Sequence, residues 1–333
     1  FAQETCYTNV SDDLKYVKST KLLFPRCSAK MPSRLRLEQD HYMAFTDKNT
    51  EPYSGEDLIR YIDKALQVSP PDSKIRNLSY KIIKRMFQPQ LINTGKIPAK
   101  PCLFVANHAM YAVDGPIIGL PMLAEQGRFL RALSDKFMWN SINESALLNQ
   151  GAVIGHPDVC SALMENGSDL LVFPGGAHEA TKSTEEKYTL LWKERYGFVK
   201  LAAKHGYTIV PTAIVGPEDF YRHLVEGADL PNSLIGRALT RVGLINENTR
   251  SDLMGPIPIG LFGTLIPKPQ KCYLQFGEPL DLSKYKGKRL AKKTMVNLRQ
   301  QVADEIISMI QPLIDKRDAE QLQSGRIRRF LTK

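Results

Sequence analysis

With 333 residues and 43% apolar content, the chain is long enough to bury one large core or two small ones. Its five cysteines (Cys6, Cys27, Cys102, Cys160, Cys272) are odd in number and lack a CxxC pair, which argues against a disulfide framework or zinc site and fits a reducing compartment. The net charge of +10 is uneven, with thirteen Lys and Arg against five acids from Leu282 onward. No aromatic-interleaved basic motif accompanies that charge, which speaks against nucleic acid and leaves a solvated face or anionic lipid headgroups as its readings.

The first ~50 residues mix charges and turn formers without a period and read as an irregular covering segment. The chain opens at Phe1 without an initiator methionine, which leaves room for a leader or anchor ahead of it. Leu58, Ile59, Ile62 and Leu66 predict a helix over 56–68, closed by Ser69-Pro70-Pro71-Asp72. A second helix over 74–87 carries an apolar stripe (Ile75, Leu78, Ile82, Ile83, Met86) and five basic residues. Packing of that stripe on a sheet is the favoured reading, and a membrane surface is the alternative. From Cys102 onward, strand-like runs at 102–106, 151–154, 170–173, 209–215 and 272–276 alternate with helical segments such as 159–165 and 190–204. This alternation predicts an α/β fold, a mainly parallel sheet covered by helices on both faces. Helical additions are expected at both ends, with boundaries of 1–90, 91–282 for the core and 283–333 for the basic tail. Arg222 and His223 read as a solvated polar helix. The segment 254–263 is apolar but too rich in Pro and Gly for a helix, and is expected to line an acyl-chain entrance, dip into a bilayer or cover the core. No uninterrupted apolar stretch approaches the ~18 residues of a spanning helix.

Chemistry concentrates where two of the apolar runs end. Asn107-His108 with Asp114 follows the first, and Phe173-Pro174-Gly175-Gly176 with Glu179 follows the third. Carboxyl ends of parallel strands are where sites form. An imidazole titrates near working pH and suits a general base, and a carboxylate on its other nitrogen fixes the tautomer. Asp114 is the only acid between Lys96 and Leu123, although six steps of ~100° on a regular helix leave it on the wrong face, so a turn must bring the two together. The glycines permit a sharp turn whose N–H groups can face a developing oxyanion or a phosphate. His178, inside this loop, is a candidate acceptor contact. No GxSxG is present, which favours direct transfer over an acyl-serine.

In order along the chain, Asn107-His108 with Asp114, Arg128–Leu133, Gly151–Ile154, Phe173–Gly176, Val210-Pro211-Thr212 and Phe276-Gly277-Glu278-Pro279 resemble the motifs of the glycerolipid acyltransferase superfamily. The similarity runs from about Lys74 to Leu282. The superfamily commonly separates its His and Asp by four residues, and here five intervene; with the Pro-Gly-Gly turn, this resembles the branch of monoacyl- and diacylglycerol acyltransferase-like proteins. The resemblance implies an O-acyltransferase using acyl-CoA as substrate and no cofactor or metal, with His108 as base, Asp114 as its orienter, and Pro174, Gly175, Gly176 and Glu179 serving the oxyanion or acceptor. Pro211 would shape the acyl wall. Relatives that acylate phosphate-bearing acceptors carry an arginine in the second motif, where this chain has Gly155 and His156, so a mono- or diacylglycerol-like acceptor is expected. Asn107, Arg128, Arg131 and His156 remain candidate substrate contacts. The implied setting is a lipid acceptor at a membrane surface, peripheral on the cytoplasmic face. The alternatives are a lysophosphatidate or glycerol-phosphate acyltransferase, a hydrolase and a non-catalytic lipid-binding protein.

Overall fold

The structure, a computed structural model, describes residues 53–241 and 255–332. The expected irregular segment of the first ~50 residues lies outside that range. The described chain begins with α1 (Glu56–Gln67), α2 (Ser73–Phe87), β1 (Gln90–Ile92), β2 (Cys102–Ala106), α3 (Asp114–Glu125), β3 (Leu130–Ser134), α4 (Glu144–Asn149) and β4 (Ala152–Ile154). It continues through α5 (Pro157–Glu165), β5 (Asp169–Val172), α6 (Gly176–Ala180), α7 (Gly197–His205), β6 (Thr208–Val215), β7 (Arg222–Val225) and α8 (Leu234–Arg241). Then come β8 (Ile257–Ile259), β9 (Tyr273–Phe276), β10 (Leu280–Asp281), α9 (Lys292–Leu322) and α10 (Arg326–Thr332).

Eight strands form one mixed, mainly parallel sheet, in the order β1-β9-β6-β2-β5-β3-β4, with β10 paired to β6. The five strands from β6 to β4 are mutually parallel, and β9 runs antiparallel to β6. Every residue of β2 and β6 is buried, as a strand covered on both faces requires. One large apolar cluster fills the side where α5, α7 and α9 pack, and a second holds Phe104, Ile117, Ile118 and Phe276. The α/β architecture and the helical C-terminal end match the sequence-based expectation. α9 is part of the main core: Leu298, Val302, Ile306, Met309 and Leu313 are buried in the larger cluster. No helix among the described residues is long and apolar enough to cross a membrane.

Three local expectations give way. Residues 190–196 are not helical, because Lys193 takes a left-handed φ of 49° that a helix cannot hold, and α7 starts at Gly197. Arg222 and His223 lie on a strand, not a polar helix, since β7 pairs antiparallel with β8. The prolines of the 255–263 segment suit that arrangement, because an edge strand tolerates missing N–H donors. On α2 the stripe divides: Ile83, Met86 and Phe87 pack against the core, while Ile75, Leu78 and Ile82 are exposed.

At the amino end of the parallel strands, Arg128 gathers three segments. Its Nε and Nη2 donate to the two Asp169 oxygens at 2.9 and 2.5 Å, and its remaining bonds go to the carbonyls of Pro98 and Lys100. Asp169 also accepts from the Cys102 N–H at 2.8 Å, so one ion pair aligns the starts of β2, β3 and β5. The pair is mostly buried, so removing one partner strands the other's charge. Arg128→Met is expected to lower the unfolding free energy by about 3 kcal/mol, read from urea denaturation.

Candidate active site

β5, β2 and β6 are neighbours and parallel, so their carboxyl ends fall side by side. His108 leaves β2, Phe173 to Gly176 leaves β5, and Glu218 leaves β6. The hydrogen bonds of the sheet therefore set the mutual position of three loops.

His108 and Asp114 meet through backbone geometry that the spacing does not disclose. After the extended Ala109, Tyr111 and Ala112 both adopt left-handed conformations, φ 58° and 55°, which fold the chain back on itself. Such residues cost on the order of 1–2 kcal/mol each outside glycine, so surrounding contacts must hold them. Asp114 then opens α3 with its carboxylate turned toward the strand end. Its Oδ2 accepts from His108 Nδ1 at 2.7 Å and from the Ala109 N–H at 2.6 Å. The carboxylate is fully buried, and the imidazole nearly so. With Nδ1 held as donor, Nε2 is the ring's basic position, and it has no hydrogen-bond partner among the described residues. Burial opposes a charge on His108, but the charge and hydrogen bond of Asp114, aided by Glu179, outweigh it and raise the imidazole pKa above its ordinary value.

The second loop supplies a floor and a further acid. Phe173 stacks on the His108 ring, with centroids 4.2 Å apart and planes 12° from parallel. Glu179, on α6, accepts from the His108 backbone N–H at 3.3 Å and is fully buried. Gly175 is needed for this approach: a Cβ there would sit 2.0 Å from Glu179 Oε2 and 2.3 Å from its Cβ. The Gly176 N–H closes the turn onto the Phe173 carbonyl at 3.0 Å, and Arg195 Nη1 holds the carbonyls of Pro174 and Gly175. Of the two glycine amides, only that of Gly175 has no acceptor among the described residues.

Behind Glu179 stands a buried charge network absent from the sequence-based expectation. Lys182 Nζ lies 2.7 Å from Glu218 Oε1 and 4.0 Å from Glu179 Oε1, with all three side chains closed to solvent. Glu218 Oε2 accepts from the Tyr188 N–H, and Tyr188 Oη donates to Asp219, which Arg317 of α9 also engages. Burial pushes the Glu179 carboxyl up to about 7, with Lys182 and His108 pulling against it. Glu218 was detectable by the rule that exposed the other loops, since it follows the buried β6. Lys182 gave no such signal. His223, expected in solvent on a helix, is instead buried, with Nδ1 2.8 Å from Glu226 Oε2 and Nε2 beside the Met110 sulfur, next to the left-handed turn.

The candidate substrate contacts are mostly elsewhere. Asn107 is fully buried and joins β2 to β6 through both ends of its amide: Nδ2 donates to the Ile214 carbonyl and Oδ1 accepts the Ile214 N–H. Pro211 lies within β6 opposite Val105, its carbonyl taken by the Gly277 N–H. Arg128 and Arg131 belong to the opposite, amino end of the sheet, because they precede or begin β3 while His108 follows β2. His156 caps α5 beyond β4, three strands and therefore about 14 Å from β2. His178 neighbours Glu179 on α6 and is half-buried. Pro174, Gly175, Gly176 and Glu179 do gather beside His108 and Asp114.

Fold and site together define an α/β protein with a buried imidazole–carboxylate pair beside a glycine turn. A sequence model of the diacylglycerol acyltransferase family matches residues 123–288, a stretch that begins beyond Asp114 and includes the glycine turn. The chain is 27% identical over 235 residues to phytyl ester synthase 2, chloroplastic, of Arabidopsis thaliana, covering 66% of this chain and 33% of that protein. It is 28% identical over 131 residues to the DGAT1/2-independent enzyme synthesizing storage lipids of Bos taurus, covering 39% of each. The 1-acyl-sn-glycerophosphate (LPA) acyltransferase PlsC of Thermotoga maritima superposes with a TM-score of 0.40 at 17% identity, over 75% of this chain and 88% of that one, a likeness too loose to weigh further. The chain spans about a third of the length of the phytyl ester synthases it matches. It belongs to the glycerolipid acyltransferase superfamily.

Glu179 leaves a mark on stability. Its folded pKa of about 7 exceeds the ordinary carboxyl value of 4.5, so the folded state holds the proton more tightly. This contribution to stability is therefore lost as pH rises from about 4.5 to 7. Glu179→Gln is expected to flatten that decline by on the order of 2 kcal/mol, measured by urea unfolding of both proteins at pH 5 and 7.5.

Proposed function

We propose that this chain transfers a fatty acyl group from acyl-CoA to the hydroxyl of a neutral lipid alcohol. The observation that carries the reading is the 2.7 Å bond between His108 Nδ1 and buried Asp114, which leaves Nε2 as the base. As the alcohol oxygen attacks the thioester carbon, its proton passes to Nε2, and Asp114 stabilises the imidazolium. The tetrahedral oxyanion collapses with cleavage of the C–S bond, and the departing thiolate takes the proton from His108. The Gly175 N–H is the donor assigned to the oxyanion.

Charge favours a neutral acceptor over a phosphate-bearing one. The charged side chains acting on His108 are Asp114, Glu179 and Lys182, and Lys182 is already paired with Glu218. A second negative charge brought by a phosphate would meet two acids, while the described cations nearby, Lys182 and Arg195, are engaged by Glu218 and by the Pro174 and Gly175 carbonyls. Names of the relatives agree with this: one group makes phytyl esters, the other storage lipids. A diacylglycerol-like or long-chain alcohol therefore suits the site. A lipid surface is the natural place to find it, and the exposed Ile75, Leu78 and Ile82 of α2, flanked by Lys74, Arg76, Lys81 and Arg85, support docking there.

The test offers labelled palmitoyl-CoA in mixed micelles with phytol, diacylglycerol, monoacylglycerol and lysophosphatidate in turn. Label in neutral ester, abolished by His108→Ala, is the expected result. Label confined to phosphatidate overturns the acceptor assignment, free fatty acid alone indicates a hydrolase, and no product from any acceptor favours a lipid-binding role.

The pH profile tests the pair. Because the base must be neutral and its pKa is raised, log(kcat/KM) should rise with pH along a limb lying above ~6.5. Asp114→Asn removes the raising charge and leaves the lowering effect of burial. The limb should move to lower pH, with a loss of about 10³- to 10⁴-fold in kcat.

A further inference from the structure

At the amino end of the sheet, on the far side from His108, a cleft of about 530 Å³ is walled by Leu66, Phe129, Arg128, Arg131 and Ser168. Arg131 is the unusual member. It rises from β3, is 3% exposed, and donates one bond, from Nη1 to the Ala65 carbonyl of α1 at 2.9 Å. Its Nε and Nη2 are buried and have no hydrogen-bond partner among the described residues. These two nitrogens form one edge of the guanidinium plane, the edge whose parallel N–H groups fit a carboxylate or phosphate bidentately.

Among the described residues no acid answers this charge. Asp169, the carboxylate in the same cleft, is held on both oxygens by Arg128. Burial lowers the Arg131 pKa to about 10, and among the described residues the Tyr61 hydroxyl opposes it. A buried guanidinium with neither a counter-ion nor a full set of acceptors is a costly thing to keep in a fold. The edge is closed to solvent but belongs to a residue of the cleft wall, so an oxyanion that entered the cleft and displaced the wall over it would remove both deficits. The cleft wall is also partly apolar, through Leu66 and Phe129, so a carboxylate or phosphate with a short hydrocarbon body would fit it.

We propose that this cleft is an anion site, separate from the acyl-transfer centre, in which Arg131 binds the oxygens of a carboxylate or phosphate group through Nε and Nη2. The length of β2 alone, five residues or about 16 Å, keeps the site out of reach of His108. A ligand there would join β3 to α1, which Arg131 already touches at Ala65. The assignment does not depend on the acyltransfer reading.

The test is thermal unfolding of the full chain at constant ionic strength, with inorganic phosphate, sodium octanoate or sodium chloride titrated in. Wild type and His108→Ala should both gain about 3 °C at ten times the dissociation constant of phosphate or octanoate, with saturation, and Arg131→Met should not respond. A response to phosphate alone assigns a phosphate ligand, and a response to octanoate alone a fatty carboxylate. The absence of a saturable response to either, or an equal response from Arg131→Met, overturns the site. If Arg131→Met does not fold, the arginine ¹⁵Nε–H spectrum of wild type decides: a buried signal that shifts on titration supports the site, and unmoved signals refute it.

Discussion

Everything at the candidate site hangs on the lateral hydrogen bonding of β5, β2 and β6. These strands are parallel, buried on both faces and locked in register from Cys102 to Ala106 against Thr208 to Thr212. A slip of one residue along β2 would turn its side chains to the opposite face and carry His108 away from Phe173. Asn107 guards against this at the end of the ladder, where its amide replaces a backbone rung and binds Ile214 from both sides. The pair of His108 and Asp114 can then be placed by a short, strained turn, because the element that launches the turn does not move.

The site carries an unusual load of buried charge, and its members need one another. Asp114, Glu179, Lys182 and Glu218 are all closed to solvent, and each would be expensive alone. Lys182 lies between two carboxylates, and Glu179 reaches the backbone of the very residue whose ring faces Phe173. Low dielectric strengthens every one of these contacts and makes any omission severe. The glycine at 175 belongs to the same account, since any side chain there would collide with Glu179.

Predominantly apolar runs made β2, β4, β5, β6 and β9 legible in the sequence, and the change from apolar to glycine or polar residues marked where the loops after β2 and β5 begin. β3 was hidden because Arg131 interrupts its apolar pattern, and β1 and β10 are too short to show a period. The helix expected over 190–204 failed at its start through a single left-handed residue, Lys193, a conformation its side chain does not announce. Proximity along the chain also misled: Arg128 and Arg131 sit among the family-like motifs, but a residue at the start of a parallel strand lies a full strand length from one that follows it. Lys182 looks like an ordinary surface lysine, and only the packing of β6 and the 188–192 segment over it makes it a buried ion. The closure of His108 on Asp114 required backbone angles that residue spacing does not encode.

α9 ends up wired to the heart of the molecule. From Arg317 the contacts pass to Asp219 and Tyr188, from Tyr188 to Glu218, then through Lys182 and Glu179 to the His108 backbone. A fusion partner, truncation or sequence change that unseats the C-terminal helix would thus disturb the electrostatic setting of the strand-end histidine, along a route in which no residue between the two has to unfold.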